Sequence, residues 1–298
     1  VSLTDDGKYD VVITGSSGYH CSSITSKEVT LTVNPKPAIN PIVTDGICSG
    51  GSFSIAPANG TNGIVPPGTT YSWAAPVVNG ITGTADGNNA GNISGTLTNT
   101  THSAIDVGYT ITPKSGDCTG APFTVTVRVY PTPTVTNTQL SQTICSGENT
   151  TLVTLTSDVS GTTFTWTATA TTGVTGFTAS GTGDIPAQTI STTEKTQGTV
   201  TYAITPAANG CSGPVTNYTV LVNPKPSVTN SSLSQTICSG ESTSLVTLTA
   251  DVSGTTFTWS ATGTAGVSGF TASGSGDIPA QTISTTGKTQ GTVTYAIT

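Results

Sequence analysis

Short stretches in which apolar residues alternate with threonine run through the whole chain. Clear examples are residues 163–167 (Thr-Phe-Thr-Trp-Thr) and 199–205 (Thr-Val-Thr-Tyr-Ala-Ile-Thr). Alternation with a period of two places the apolar side chains on one face of a strand and the threonines on the other. No stretch keeps the 3.6-residue period of an amphipathic helix. The pattern therefore predicts an all-β protein built from half-buried strands.

In the middle of the chain, seven such segments are separated by turns rich in Gly, Asp, Asn and Pro. We predict strands A to G at residues 134–140, 151–157, 163–168, 175–180, 188–192, 199–205 and 217–222. Seven short strands in about 93 residues are typical of an immunoglobulin-like β-sandwich.

The segment 133–205 is repeated, without a gap, 93 residues later at 226–298, and about 61 of the 73 paired residues are identical. A more diverged copy lies upstream. Three tryptophans and three tyrosines recur at this spacing: Trp73, Trp166, Trp259, Tyr109, Tyr202 and Tyr295. The period is longer than the roughly 20–50 residues of solenoid and propeller repeats, so each copy is predicted to be a whole domain. We predict that these six aromatic residues lie in the domain cores.

Pro-x-Pro segments at residues 35–37, 131–133 and 224–226 mark the domain boundaries. Because proline fixes φ and lacks a backbone donor, such a segment ends a strand and makes a short, stiff connector. We therefore predict tandem immunoglobulin-like domains at 36–131, 132–225 and 226–298, arranged end to end. Residues 1–35 are expected to be the C-terminal part of a preceding domain, and the last domain to be truncated before its final strand.

The scarcity of basic residues argues against two classes of binding partner, nucleic acids and anionic membranes. Only 8% of the residues are charged, and eight Lys and Arg residues leave a net charge of −7. Nucleic-acid binding needs clustered basic residues to neutralise phosphates, and the sequence has no such cluster. The same shortage makes an anionic membrane surface a poor partner. No apolar run reaches the length of about 18 residues that membrane insertion of this segment would require.

Each complete domain has two cysteines, one in an Ile-Cys-Ser-Gly turn before strand B and one in the turn between strands F and G. The six cysteines are Cys21, Cys48, Cys118, Cys145, Cys211 and Cys238. The simplest pairing stays within a domain, as Cys48–Cys118 and Cys145–Cys211. It leaves Cys21 and Cys238 for partners outside the chain.

Other cysteine pairings stay open. A second pairing joins cysteines that are 27 residues apart, such as Cys21 and Cys48. In domains that stack end to end, the nearly extended chain between them spans far more than the roughly 7 Å between Cα atoms that a disulfide allows. This pairing therefore requires the domains to fold back on each other. The two cysteine turns lie at opposite poles of a standard sandwich, so a disulfide could instead cross a domain joint, as Cys48–Cys211. Free thiols are the remaining alternative. Every disulfide arrangement implies an oxidising, extracytoplasmic setting.

The search for chemistry predicts no catalytic, cofactor-binding or metal-binding residues. Asp158 and Asp184, repeated at Asp251 and Asp277, lie in turns, where aspartate is common. Calcium needs roughly six to eight oxygen ligands, usually from several nearby carboxylates. The two histidines, His20 and His102, stand in unrelated contexts, and the two most similar copies contain none. We therefore expect neither enzymatic activity nor a cofactor.

Four segments together carry a family resemblance: residues 144–148 (Ile-Cys-Ser-Gly-Glu), 201–206 (Thr-Tyr-Ala-Ile-Thr-Pro), 209–214 (Asn-Gly-Cys-Ser-Gly-Pro) and 222–226 (Val-Asn-Pro-Lys-Pro). They resemble the PKD-like and immunoglobulin-like repeats of secreted Bacteroidota surface proteins, which include gliding-motility adhesins exported by the type IX secretion system. The resemblance covers about residues 36–298. It implies an extracellular stalk or filament at the cell surface.

We interpret the chain as a structural repeat segment of a long extracellular adhesin or filament. Its expected partners are neighbouring repeats, other copies in a fibre, and a surface glycan or protein bound weakly at many points. The alternative is a set of glycan- or protein-binding modules ancillary to a secreted hydrolase, whose catalytic domain lies outside this segment. Three units laid end to end predict a rod on the order of 100 Å or more in length.

Overall fold

The computed structural model of the chain describes residues 7–13 and 24–298. Every regular element among these residues is a β-strand, so the predicted all-β fold is confirmed. The chain separates into two compact units. Unit 1 contains residues 1–136, 157–163 and 206–214, and unit 2 contains residues 137–156, 164–205 and 215–298. Unit 1 therefore joins the first predicted repeat to two turns of the second.

The N-terminal segment forms two short antiparallel strand pairs. Its strands are β1 (Gly7–Tyr9), β2 (Val12–Ile13), β3 (Ile24–Thr25) and β4 (Val29–Leu31). β1 pairs with β4, and β2 pairs with β3. These pairs lie in the segment that the sequence predicts to be the C-terminal part of a preceding domain. Cys21 and His20 lie outside the described residues.

Repeat 1 (residues 36–131) is a sandwich of a large and a small sheet with one extra strand pair. Its strands are β5 (Ala38–Ile39), β6 (Ile42–Val43), β7 (Ile47–Cys48), β8 (Gly51–Ile55), β9 (Gly63–Ile64), β10 (Thr70–Trp73), β11 (Ile81–Thr82), β12 (Gly87–Ala90), β13 (Ile93–Asn99), β14 (Ile105–Ser115), β15 (Cys118–Thr119) and β16 (Phe123–Tyr130). The large sheet has the order β12-β10-β14-β16-β6, with β7 also on β16 and β15 on β14. The small sheet has the order β11-β13-β8, and β5 pairs with β9. β6 and β7 run parallel to β16, whereas the other pairs are antiparallel.

Repeat 2 (residues 132–225) has the same two-sheet plan. Its strands are β17 (Ser141–Cys145), β18 (Glu148–Asn149), β19 (Thr163–Ala170), β20 (Val174–Thr175), β21 (Ser180–Thr182), β22 (Thr189–Thr192), β23 (Gly198–Ala208), β24 (Cys211–Ser212) and β25 (Thr216–Asn223). The large sheet has the order β17-β25-β23-β19-β21 with β24 on β23, and the small sheet has the order β18-β22-β20. Predicted strands C, E, F and G correspond to β19, β22, β23 and β25.

Predicted strand A of repeat 2 is wrong. The prediction was residues 134–140, but β17 occupies the next five residues, Ser141–Cys145. Within the predicted range, Val135 makes only a single bridge, to Ser157. β17 runs parallel to β25, a partner distant in sequence. Local alternation cannot reveal such a pairing, because parallel neighbours are never joined by a tight turn.

Predicted strand B of repeat 2 is also displaced. The regular strand is β18, and residues 151–157 make only isolated bridges, such as Val153 with Ile185. Next to that bridge, the backbone N–H of Leu155 donates to the Asp184 carboxylate over 2.9 Å. A side chain therefore satisfies a donor that a regular ladder would have used.

Repeat 3 (residues 226–298) has fewer regular strands. They are β26 (Thr258–Gly263), β27 (Val267–Ser268), β28 (Ser273–Ser275), β29 (Ser284–Thr285) and β30 (Val293–Ile297). The sheet orders are β28-β26-β30 and β27-β29. β30 corresponds to β14 and β23 of the other repeats, and it lies at the end of its sheet.

The repeated tryptophan packs over a strand glycine in each core. In repeat 2, Trp166 is 4% exposed and Tyr202 is 1% exposed, and their rings meet edge to face at 5.6 Å. A Cβ atom on Gly181 would lie 2.2 Å from the Trp166 ring, so this position has no room for a side chain. The same tryptophan–glycine contact recurs in the other repeats, as Trp73–Gly87 and Trp259–Gly274.

Candidate functional site at the repeat joints

Repeats 1 and 2 each have two cysteines, which lie at opposite ends of the last strand of the repeat. In repeat 1, Cys48 pairs with Tyr130 at the end of β16, whereas Cys118 precedes the start of β16 at Phe123. β16 has eight residues. A strand of that length spans about 25 Å, and a disulfide needs Cα atoms within about 7 Å. The predicted pairing of Cys48 with Cys118 is therefore wrong.

Repeat 2 shows the same separation, and the observed disulfide crosses from repeat 1 to repeat 2. Cys145 pairs with Asn223 at the end of β25, while Cys211 precedes its start, so the predicted Cys145–Cys211 pairing is also wrong. Cys211 instead bonds to Cys48, 163 residues away in sequence, with the Cα atoms 5.5 Å apart. This is the joint-crossing alternative. Among the described residues, the free cysteines are Cys118, Cys145 and Cys238.

A second contact lies at this joint, again between residues of unit 1. Asp158, in a turn of repeat 2, accepts hydrogen bonds from the Thr134 backbone N–H and the Thr134 hydroxyl, each over 2.7 Å. His102 belongs to the loop between β13 and β14 of repeat 1, and its Nδ1 lies 3.2 Å from Asp158 Oδ2. One carboxylate therefore contacts both the start of its own repeat and a loop of the preceding repeat. We call this contact, together with the disulfide, joint 1.

The charge state of Asp158 follows from these contacts. Burial raises the pKa of its carboxyl, but hydrogen bonds from the Thr134 hydroxyl, the Thr134 N–H and Ser157 outweigh burial, and the pKa lies below its ordinary value. Hydrogen bonds donated to a carboxylate favour its charged form. Asp158 is therefore an anion at neutral pH and attracts the imidazole of His102 when that ring is protonated.

The same polar contact recurs 93 residues later, within unit 2, and we call it joint 2. Asp251 accepts hydrogen bonds from the Ser227 backbone N–H and hydroxyl, each over 2.7 Å. Lys195, in the loop between β22 and β23, forms an ion pair with Asp251. The hydrogen bond from Lys195, followed by those from Ser227, holds the pKa of the Asp251 carboxyl well below its ordinary value. Lysine thus replaces histidine as the cation.

The serine of the Ile-Cys-Ser-Gly turn holds the cation-bearing loop. Its hydroxyl makes two hydrogen bonds to one residue, which lies at the end of the strand before that loop. The hydroxyl donates to the backbone carbonyl of that residue and accepts from its backbone N–H. The equivalent pairs are Ser49–Asn99, Ser146–Thr192 and Ser239–Thr285, at 2.9–3.3 Å. Because the serine follows the cysteine directly, this bond fixes the cysteine and the cation at the same pole of a repeat.

The second cysteine of a repeat lies in a turn that packs against the Pro-x-Pro linker. A Cβ atom on Gly213 would lie 1.8 Å from the carbonyl oxygen of Pro133, and one on Gly120 would lie 2.4 Å from that of Pro37. Glycine is therefore required two residues after Cys211 and Cys118, since any side chain would push the turn away from the linker. The arrangement positions Cys211 beside the start of repeat 2.

A family model for the PKD-like domain matches residues 45–133, 142–226 and 235–298, which together are more than half of the chain. The chain belongs to the PKD-like domain family. No curated protein matches it. Tandem PKD-like domains are usually non-catalytic structural modules. The disulfide agrees with an oxidising compartment.

Solved structures similar to this PKD-like chain contain other tandem β-sandwich domains. Protocadherin gamma B7 extracellular cadherin domains 1–4 are 14% identical, with a TM-score of 0.34 over 93% of this chain and 79% of that chain. Mouse cadherin-23 EC22-24 is 14% identical, with a TM-score of 0.37 over 86% and 89%. The titin I-band fragment I67-I69 is 10% identical, with a TM-score of 0.36 over 80% and 85%. Scores this low support no functional transfer.

The remaining acidic candidates hold strands within the PKD-like repeats. Asp184 and Asp277 each accept a backbone hydrogen bond over 2.9 Å, from Leu155 and Leu248 respectively. Within residues 7–13 and 24–298, no three His, Cys, Asp or Glu side chains are grouped so that they could hold a metal ion. In the same part of the chain, no helix has the length and apolar character needed to cross a membrane.

Sequence reasoning missed the role of Asp158, Asp251 and their cations. It interpreted the two aspartates as turn residues and His102 as a residue in an unrelated context. The signal was nevertheless present, because His102, Lys195 and Lys288 are spaced by 93 residues, as are the two aspartates. Comparing the repeats by charge rather than by identity would have found the joint contact.

Proposed function

We propose that this chain is a spacer segment of a long extracellular adhesin or filament at the cell surface, built from repeats 36–131, 132–225 and 226–298. The observation that carries the proposal is the Cys48–Cys211 disulfide, which links one PKD-like repeat covalently to the next. A covalent bond between neighbouring repeats keeps them connected in a fixed order, as a spacer requires. It also suits the oxidising environment outside the cytoplasm.

The features copied between the repeats support a spacer. They are the core tryptophan over its glycine, the serine that holds the cation loop, and the aspartate at the joint. Each of these fixes the structure of a repeat or of its joint. Near-identical neighbouring repeats would also give many copies of any weak surface contact with a glycan or protein. The resemblance to Bacteroidota surface repeats supports a gliding-type adhesin exported by the type IX system.

Small-angle X-ray scattering of the chain with its disulfide intact tests this proposal. We expect a maximum dimension on the order of 100 Å or more, from three sandwiches laid end to end. The variant Cys48→Ser should broaden the distribution of interatomic distances, because the first joint loses its covalent bond. Cys118→Ser is the matched control, since Cys118 is free, and it should leave the distribution unchanged.

Two results would overturn the spacer function. The first is a compact scattering profile for the chain with its disulfide intact. The second is turnover of polysaccharide or peptide by the purified chain, because a spacer has no catalytic activity.

A further inference from the structure

Repeat 2 contains a polar cavity of about 370 Å³ between two of its loops. One loop joins β19 to β20, and the other joins β22 to β23. The cavity is lined by Thr171, Thr172, Glu194, Thr196, Gln197 and Gly198. Sites for small ligands usually have volumes of roughly 300–1,000 Å³. The cavity is therefore large enough for a small ligand, and its lining decides which ligand fits.

Hydrogen bonds between the two loops fix the walls of this cavity. The Thr171 backbone N–H donates to the Thr199 carbonyl over 2.9 Å, and the Thr199 N–H donates to the Thr171 hydroxyl over 3.0 Å. The Thr193 backbone N–H donates to the Gly173 carbonyl over 3.1 Å. The Glu194 side chain lies directly over Gly173, where a Cβ atom would be 2.8 Å from Glu194 Oε1. The fold itself therefore forms the cavity and positions the glutamate.

The fold leaves several polar groups of the cavity unused. Among the described residues, the Glu194 carboxylate has no ion-pair or hydrogen-bond partner, and the hydroxyls of Thr172 and Thr196 make no hydrogen bond. The neighbouring Lys195 does not neutralise Glu194, because its ammonium group forms the ion pair with Asp251. The cavity therefore presents an unpaired anion beside two free hydroxyl groups.

Repeat 3 contains the same pair of loops without this chemistry. Glu194 and Thr172 correspond to Gly287 and Ala265, whereas the other four lining residues are identical in the two repeats. Of the five charged residues in the segment 133–205, only Glu194 lacks a charged equivalent 93 residues later. The hydrogen bonds that fix the loops recur at 2.9–3.1 Å between Thr264 and Thr292 and between Thr286 and Gly266. The difference between the repeats is therefore confined to the groups that a ligand would contact.

We propose that this cavity binds an amino sugar unit of a cationic polysaccharide. The Glu194 carboxylate pairs with the ammonium group of the sugar. The hydroxyls of Thr172 and Thr196 bind the neighbouring sugar hydroxyls. The carbonyl oxygen of the Gln197 side chain accepts a further hydrogen bond, since its Nε2 already donates to Asn223 over 2.7 Å.

The mixture of groups in the cavity favours this ligand over two simpler ones. A neutral sugar would leave the carboxylate without a counter-charge, and a simple alkylamine would leave the hydroxyls without partners. Polar groups that lose water without gaining a partner weaken binding. Hydrogen bonds between charged groups are roughly twice as strong as neutral ones. Sugar binding goes beyond the spacer function and does not depend on it.

Nuclear magnetic resonance titration of the whole chain, with its disulfide intact, tests the site. The probes are a glucosamine tetramer, a glucose tetramer and ethylamine, at a pH where the sugar amine is protonated. We expect the glucosamine tetramer to shift the amide signals of Gly173, Glu194 and Gly198. It should bind on the order of tenfold or more tightly than either other probe, because only it supplies both a cation and hydroxyls. Equal binding of the glucose tetramer or of ethylamine would overturn the proposal.

Residues exchanged between the repeats supply the matched variants. Glu194→Gln keeps the shape and removes the charge, so it should weaken binding of the glucosamine tetramer on the order of tenfold. Gly287→Glu combined with Ala265→Thr should create a second site in repeat 3. A Cβ atom at position 287 would lie no closer than 3.5 Å to its neighbours, so the position accepts a side chain.

Two results with these variants would contradict the proposal. The first is unchanged binding of the glucosamine tetramer by Glu194→Gln. The second is a single binding site in the variant that carries Glu at position 287 and Thr at position 265. The scattering test of the Cys48–Cys211 disulfide is independent of both results, so failure of the sugar site and failure of the spacer function are distinguishable.

Discussion

Joint 1 and joint 2 contain the same carboxylate contact, and among the described residues the observed disulfide lies at joint 1. Asp158 and Asp251 each accept two hydrogen bonds from the residue that follows Pro-x-Pro, and each contacts a cation from the preceding repeat. Joint 2 forms this contact while Cys145 is free. The two kinds of contact can be removed separately, and four predictions follow from largest to smallest effect.

The variant Cys48→Ser should have the largest effect, confined to joint 1. The disulfide closes a loop over a sequence separation of 163 residues, and loop-closure entropy for that length amounts to at most about 5 kcal/mol. We expect calorimetry to show lower unfolding temperatures for repeats 1 and 2 and an unchanged transition for repeat 3. Cys145→Ser is the control and should match the unaltered chain. Equal melting curves for the two variants would show that the disulfide does not stabilise joint 1.

We expect the second-largest loss of stability from Gly213→Ala, which alters the turn that carries Cys211. The new methyl group would clash with the carbonyl of Pro133, and overpacking of this kind costs roughly 1–3 kcal/mol. Chemical denaturation should therefore show a lower free energy of unfolding for repeat 2. Gly108→Ala is the control, since nothing lies within 4 Å of its Cβ position. If both variants are equally stable, the turn does not need its close approach to the linker.

Acid should weaken both joints through their aspartates. The pKa values of Asp158 and Asp251 are lowered in the folded chain. Their contribution to stability is therefore complete above the ordinary aspartate pKa of about 3.9 and is lost as the pH falls through the lowered values. Melting temperatures measured between about pH 2 and 5 should show this loss. Asp158→Asn should remove the part due to joint 1, and Asp251→Asn the part due to joint 2. Unchanged acid profiles in both variants would contradict the assignment.

Removing the two side chains that contact the aspartates should have the smallest effect. Exposed ion pairs contribute only a few tenths of a kcal/mol to about 1 kcal/mol, and His102 is 67% exposed. His102→Ala should therefore lower the melting temperature of joint 1 only slightly, and Lys195→Ala should do the same for joint 2. Melting temperatures that stay unchanged in both variants would contradict the ion-pair assignment.

The core was predictable from the sequence because burial in a strand follows a local period of two. Trp166 and Tyr202 lie on β19 and β23, strands that the alternation predicted. Gly181 was not predicted to lie under Trp166, since a glycine between serine and threonine resembles a turn residue. That contact depends on the pairing of β19 with β21, which alternation does not report.

The joint was only partly predictable. The sequence left Cys48–Cys211 as one of several pairings, because spacing alone does not say which pole a turn occupies. The deciding fact is that β7 and β17 run parallel to the last strand of their repeats, which puts Cys48 and Cys145 at the far end of that strand. The contact between Asp158 and His102 was hidden because histidine in one repeat corresponds to lysine in the next.

The Cys48–Cys211 bond also sets how far the chain can be stretched. A pulling force applied to the two ends passes through this bond and bypasses the intervening chain, whose sequence separation is 163 residues. If those residues unfolded under load, they would add on the order of 500 Å at about 3.3–3.6 Å per residue, and the bond withholds that length. The residues between Cys48 and Cys211 can therefore lose their structure under tension without lengthening the path that carries the load, so the disulfide acts as a limit on extension.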